Sequence, residues 1–260
     1  MITLYFSGTG NTKFIAERFS SKMHAKLYSI EEHLNFSQLI KPEKQIALLF
    51  PIYISRCPRI FREFLLKHKK DFEGKELISI CTQMCFSGDG ARSIFDYLDK
   101  IDYKIKYAEH INMPSNISNI KFLAPKNGKA ILPKLKKACK KIDKICDNLH
   151  NGKIVKRGFN PFSRALAATQ APFVPKLDKK YKNNVKTNSN CITCGLCAKI
   201  CPMHNLSIEN KKVVQHNNCT FCYRCVNNCP TKAITVMAGG SITTQYKGIY
   251  KEFFTTEYLN

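Results

Sequence analysis

Apolar residues follow two periods through the first 150 positions of the chain. Residues 2–6 form a short β-rich run, and 45–50 are apolar almost throughout and stop at Pro51. Residues 76–81 read as a third strand and 103–111 as a further one. Between these runs the period lengthens. Phe14, Ile15 and Phe19 predict a helix over 12–23, and Ile60, Phe61, Phe64 and Leu65 predict a second. A third is expected over 91–98. Leu135, Ala138, Ile142, Ile145 and Leu149 mark one side of a helix over 132–149. Strands alternating with helices imply an α/β domain, a parallel sheet with helical crossovers on both faces. The run at 45–50 suits a strand buried on both sides.

The pattern stops between 158 and 190, where Pro161, Pro172 and Pro175 interrupt a stretch that is lysine-rich over 176–186. This predicts a connector with one helical turn near 163–169. Beyond 238 no period is legible, and a final packed strand and a frayed end both fit. The expected organisation is a first domain over 1–150, a connector over 151–185, a second domain over 186–237 and a tail over 238–260.

Composition changes the picture at two points. In 260 residues there are 13 cysteines, and the formal net charge is +23. The start of the chain lacks the basic and apolar stretches of a secretory signal, and no apolar run is long enough to span a bilayer. A secreted disulfide scaffold and a membrane-spanning protein are therefore not expected. Clustered cysteines in a reducing, cytoplasmic setting bind metal or do redox work. The charge permits nucleic-acid binding, with seven lysines in 129–144 alone. However, no helix–turn–helix, RRM or KH signature is present, and aromatic residues do not interleave the basic runs. Nucleic acid is a remote alternative; acidic redox proteins such as ferredoxins are the partners the charge favours.

Eight of the cysteines lie between Cys191 and Cys229, and they repeat. Cys191, Cys194, Cys197 and Cys201-Pro202 recur 28 residues later as Cys219, Cys222, Cys225 and Cys229-Pro230. The spacing C-x2-C-x2-C-x3-C-P, present twice, resembles bacterial two-cluster ferredoxins, small α+β domains. Zinc is the alternative for paired C-x2-C motifs, but zinc sites do not need a third cysteine and a following proline twice. The resemblance implies that Cys191, Cys194, Cys197 and Cys229 hold one [4Fe–4S] cluster. It gives the other to Cys219, Cys222, Cys225 and Cys201.

The first strand runs into Ser7-Gly8-Thr9-Gly10-Asn11-Thr12 and then a helix, which is a phosphate site in general. Walker A needs a lysine after its last glycine, and the dinucleotide fingerprint needs a third glycine where Lys13 stands. What remains is rich in hydroxyls and resembles the FMN-phosphate loop of flavodoxins. That resemblance covers about 1–150 and implies a doubly wound sheet of order 2-1-3-4-5. It also places the flavin ring between two later loops. The first contains Pro51, Tyr53, Ile54 and Arg56; the second contains Thr82, Phe86, Ser87, Gly88, Asp89 and Gly90. Tyr53 is the first candidate for stacking on the ring and Phe86 the second. An Arg56 near the ring would stabilise an anionic reduced flavin. Cys57, Cys81 and Cys85 lie in or beside these loops, with no demonstrated role.

The whole chain resembles fused flavodoxin–ferredoxin proteins, the EFR-family ferrodoxins. This implies an electron-transfer iron–sulfur flavoprotein carrying FMN and two [4Fe–4S] clusters, with no catalytic residue assigned. A flavin-dependent oxidoreductase reducing a quinone-type small molecule, with the clusters as its electron inlet, is the alternative.

Overall fold

The computed structural model describes residues 1–53, 56–170, 173–237 and 239–249. Ile54 and the end of the tail, 250–260, lie outside the described residues. Six strands form one parallel sheet: β1 (Ile2–Tyr5), β2 (Lys26–Ser29), β3 (Gln45–Pro51), β4 (Lys75–Gln83), β5 (Tyr103–Asn112) and β6 (Val155–Lys156). Their order is 2-1-3-4-5-6, so the expected 2-1-3-4-5 arrangement is present and a two-residue strand extends its edge.

The apolar run of β3 explains the layering. Ile46, Leu48 and Phe50 pack on one face with α3 (Arg59–Lys67) and α2 (Phe36–Ile40). Ala47 and Leu49 pack on the other with α1 (Asn11–Lys22) and α4 (Leu132–His150). Alternate residues of one strand therefore feed two cores, which is what crossovers on both faces require. Leu135, Ala138, Ile142 and Ile145 are buried as their spacing predicts. Arg18 of α1 donates to both carboxylate oxygens of Asp143 on α4, at 2.8 and 2.7 Å, and joins the two helices on that face.

The helix expected over 91–98 is instead a series of turns with a single 3-10 turn at Phe95–Tyr97. The backbone of Ala91 is taken by the sheet. Its carbonyl accepts from Ser79 Oγ at 2.6 Å and its amide donates to His110 Nε2 at 3.0 Å. The connector is more ordered than its prolines imply, containing α5 (Pro161–Gln170) and α6 (Phe173–Tyr181). Pro161 occupies the first helical position, where a missing amide costs nothing. Asn160 Oδ1 caps α5 by accepting from Ser163 N at 2.8 Å.

The cysteine-rich region has its own small core, centred on Leu206, Val226, Ile234 and Val236. Its elements are short: β7 (Lys186–Thr187), α7 (Leu196–Lys199), β8 (Leu206–Glu209), β9 (Lys212–Gln215), α8 (Arg224–Asn228) and β10 (Ile234–Thr235). β7 pairs antiparallel with β10, and β8 with β9. The 28-residue repeat is visible in the backbone. Thr193 and Phe221 share a positive φ of 52° and 60°, as do Gly195 and Tyr223 at 75° and 59°. No helix among the described residues is long and apolar enough to cross a membrane.

Candidate functional site

The turn after β1 ends at Gly10, whose φ of +100° carries the chain into α1 with open space beside it. Ser7 Oγ accepts from Gly10 N at 3.1 Å and closes the turn. The first backbone bond of α1 runs from Phe14 N to Gly10 O. The amides of Asn11, Thr12 and Lys13 therefore have no intrahelical acceptor, and the first turn holds no acidic side chain. Thr12 and Thr82 share a hydroxyl hydrogen bond at 2.8 Å, which ties the loop to the end of β4.

A cavity of about 360 Å³ opens above this loop, within the range of cofactor pockets. Ser7, Gly8, Thr9, Asn11 and Thr12 form its floor, and Pro51, Tyr53 and Thr82 form part of its sides. Gly10, Arg56, Phe86, Ser87, Gly88, Asp89 and Gly90 are not in its lining. Arg56 lies 3.4 Å from both Asp89 and Asp96, so carboxylates take up its charge. Asp89 is buried and also paired with Arg92 at 2.7 Å. Phe86 is 57% exposed, and Gly88 backs onto Leu166 of α5.

Two groups of lining residues are not anticipated by the sequence motifs. One is the segment after β5, including Met113, Asn116, Ile117 and Leu123. The other comes from the second half of the cysteine repeat and its C-terminal flank: Phe221, Tyr223 and Met237. The first has a usable signal, because ligands in such sheets sit beyond the carboxyl ends of strands. The second depends on how the two halves dock, which no local pattern encodes.

The cysteines ring two further cavities. Cys191, Cys194, Cys197 and Cys229 line one; Cys201, Cys219, Cys222 and Cys225 line the other. The fourth cysteine of each repeat thus faces the cavity of the opposite repeat. Each also accepts a backbone amide four residues on, Asn205 N to Cys201 Sγ at 3.3 Å and Ala233 N to Cys229 Sγ at 3.2 Å. Burial raises the Cys229 thiol, but amide bonds led by Ala233 outweigh it and hold the thiol below its ordinary value. In the second cavity burial dominates, pushing Cys219 up to about 11 and Cys222 to about 12. Thiolates there need a neighbouring cation, which a metal centre supplies. Four sulfur donors around each cavity fit an iron–sulfur cluster. Among the described residues no Cys, His, Asp or Glu side chains gather to hold a single metal ion.

The two halves meet at the phosphate-type loop. Gly8 has an ordinary backbone conformation, but a Cβ there would lie 2.6 Å from the Cys222 carbonyl and against the Tyr53 hydroxyl. Arg224 grips the loop, donating to Ser7 O at 2.8 Å and Gly8 O at 3.0 Å. It also forms a two-pronged pair with Glu31 at 2.8 Å per prong. Burial and the neighbouring Cys222 sulfur raise the Tyr53 phenol well above its usual value. Amides complete the joint: Asn116 bonds Thr9 Oγ1 at 3.0 Å, and Asn227 donates to Asn116 O at 2.9 Å. Asn119 donates to Val236 O at 2.6 Å. The tail passes back across both halves, with Tyr246 Oη donating to Asn11 Oδ1 at 2.6 Å.

A doubly wound sheet with an anion-type loop at its switch point, joined to a duplicated four-cysteine unit, defines a fused redox protein. The flavodoxin-domain family model matches residues 2–153, and the 4Fe-4S dicluster-domain model matches residues 190–233. The chain belongs to the flavodoxin family and carries a 4Fe-4S ferredoxin-type unit after it. In general terms it is an electron-transfer protein with flavodoxin and iron–sulfur parts. Among solved structures it is similar to a Fusobacterium nucleatum flavodoxin bound to flavin mononucleotide, at 19% identity. That match covers 58% of this chain and 96% of that one, with a TM-score of 0.40. Oxidised flavodoxin 1 from Bacillus cereus matches at 12% identity over 58% and 96%, with a TM-score of 0.41. A Lactobacillus acidophilus flavoprotein in complex with FMN matches at 14% identity over 42% and 91%, with a TM-score of 0.36. None of the curated proteins matches the chain.

Proposed function

We propose that this protein is an electron-transfer iron–sulfur flavoprotein. It holds FMN in the large cavity and two [4Fe–4S] clusters in the cysteine-lined ones, and it exchanges electrons with an external acidic redox protein. One observation carries the reading: Tyr223 lines both the large cavity and the one ringed by Cys201, Cys219, Cys222 and Cys225. Two sites that share a lining residue suit short-range electron exchange and serve no purpose in two independent binding modules.

The large cavity suits FMN. The unpartnered amides at the start of α1 and the hydroxyls of Ser7, Thr9 and Thr12 suit a phosphate that needs neither lysine nor metal. The apolar upper walls, from Ile52, Met84, Ile117, Leu123, Phe221 and Met237, suit a flat aromatic ring and exclude water from it. When bound, FMN takes up two electrons and releases them singly, while a cluster passes one. The protein's part is positional. Arg224 and the amide joint hold the loop carrying Cys222 against Gly8, and the crossed cysteines cradle each cluster between both repeats.

The test is anaerobic purification, with iron, sulfide and flavin quantified per chain. The expected result is about eight irons and one FMN. Zinc in place of iron would overturn the reading of the second domain. Steady turnover of quinones that vanishes in cluster-free protein would favour a small-molecule reductase over a carrier.

A further inference from the structure

The two cysteine-lined cavities stand in different places, and this ordering has a consequence for partner docking. The one containing Cys222 shares Tyr223 with the large cavity, and Cys222 and Cys225 are buried. The other shares no lining residue with the large cavity. Its rim reaches solvent: Cys194 is exposed, and Ile192 beside it is 61% exposed.

The charge beside that rim is mostly of one sign. Lys186 precedes the lining residue Thr187, Lys199 ends the helix after Cys197, Lys212 precedes Val213, and Lys232 lies between Thr231 and Ala233. All four lysines are exposed. Glu209 is the sole acidic residue in 186–237, and its carboxylate accepts from Ser207 Oγ at 2.6 Å. An exposed apolar residue in a segment rich in exposed lysines suits a transient docking site, a small desolvated contact with steering charges beside it.

We infer that the rim of the Cys191/Cys194/Cys197/Cys229 cavity is where the external partner docks. The partner is a small acidic one-electron protein that places an apolar contact on Ile192. This rests on the proposed electron-transfer function and adds the port and the sequence of sites: large cavity, buried cysteine cavity, exposed cysteine cavity, partner. Each encounter moves one electron between partner and chain. The reduced member is oxidised by one, the other is reduced by one, and no bond or proton changes place.

The experiment measures binding of the cofactor-loaded protein to a gallium-substituted plant-type ferredoxin, an acidic and redox-inert probe, by biolayer interferometry at low and high salt. Iron content is checked for every variant. Wild type is expected to bind weakly and to lose most of its affinity at high salt. The double variant Lys186→Glu, Lys199→Glu is expected to bind about tenfold more weakly at low salt. The equally charged double variant Lys140→Glu, Lys144→Glu, on exposed positions of α4, is expected to stay within about twofold of wild type. Ile192→Asp is expected to weaken binding at both salt concentrations. Equal losses in the two double variants, or a greater loss in the α4 variant, would overturn the port. Failure of wild type to bind the probe at all would instead sink the acidic-partner reading, while the iron and flavin content would still report on the function.

Discussion

Gly8→Ala tests the joint between the two halves directly. The added methyl would stand 2.6 Å from the Cys222 carbonyl oxygen and 3.0 Å from Cys222 Cβ, and would also strike the Tyr53 hydroxyl. Two of these three neighbours belong to a residue packed into the main core, so they cannot swing away. Overpacking of this kind costs about 1–3 kcal/mol. For a chain of this size that lowers the unfolding midpoint by about 2–4 °C per kcal/mol. Gly10→Ala in the same loop is the informative contrast. Nothing lies within 4 Å of its Cβ position, but its φ of +100° is one that alanine adopts only under strain. The two substitutions therefore fail for different reasons. Tyr53→Phe, which removes the struck hydroxyl, is expected to recover part of the Gly8→Ala loss and none of the Gly10→Ala loss. The assay is thermal unfolding of the loaded protein followed by circular dichroism, with FMN release measured in parallel. A Gly8→Ala protein melting within about 1 °C of wild type would refute the close approach of the two loops.

Arg224→Ala removes the clamp on Ser7 and Gly8 and leaves Glu31 unpaired in a half-buried site, so a loss of about 2–3 kcal/mol is expected in denaturant unfolding, with partial rescue by lysine. His110 is depressed to about 4 by burial and by the nearby Arg157 and Lys141. Its neutral ring accepts the Ala91 amide, so its folded value lies below its unfolded value of about 6.5. The stability it contributes is full above pH 6.5 and is lost as pH falls toward 4, by up to about 3 kcal/mol. Its imidazole NMR signal should titrate near the lower value, and a midpoint near 6.5 would be inconsistent with the buried acceptor role. Alkylation at pH 8 of loaded protein is expected to label Cys85 alone among the five non-cluster cysteines. The others are buried, with Cys57 raised to about 12 and Cys146 to about 11. Peptide mass spectrometry reads the result, and rapid labelling of Cys57 or Cys81 would contradict it.

Much of this architecture is legible because its signals are local. The apolar run of β3, the turn from Ser7 to Thr12 and the doubled cysteine spacing each lie within a dozen residues or a simple repeat. The strand β2 leaves no such trace, because its four residues are only partly buried and show no clean alternation. The helix expected over 91–98 fails because Ser79 and His110, distant in sequence, claim the backbone of Ala91. Arg56 stands in a loop that the resemblance brings to the flavin ring; its pairing with Asp89 and Asp96, outside the lining of the large cavity, joins residues that no local window holds together. The walls supplied by Phe221, Tyr223 and Met237, and the Arg224 clamp, arise from docking of the two halves. No window of sequence contains both partners.

That docking also sets the order in which the molecule is completed. Arg224 bonds Ser7 across 217 positions, and Tyr246 bonds Asn11 across 235. Contacts of such long range carry the largest loop-closure cost and form late. During synthesis the parallel sheet can close once β6 has emerged, before the cysteine repeat is made. The floor of the large cavity is thus in place early, and the wall from Phe221, Tyr223 and Met237 arrives only with the cysteine repeat and its C-terminal flank. Completion of the large cavity therefore waits on the joint between the two halves.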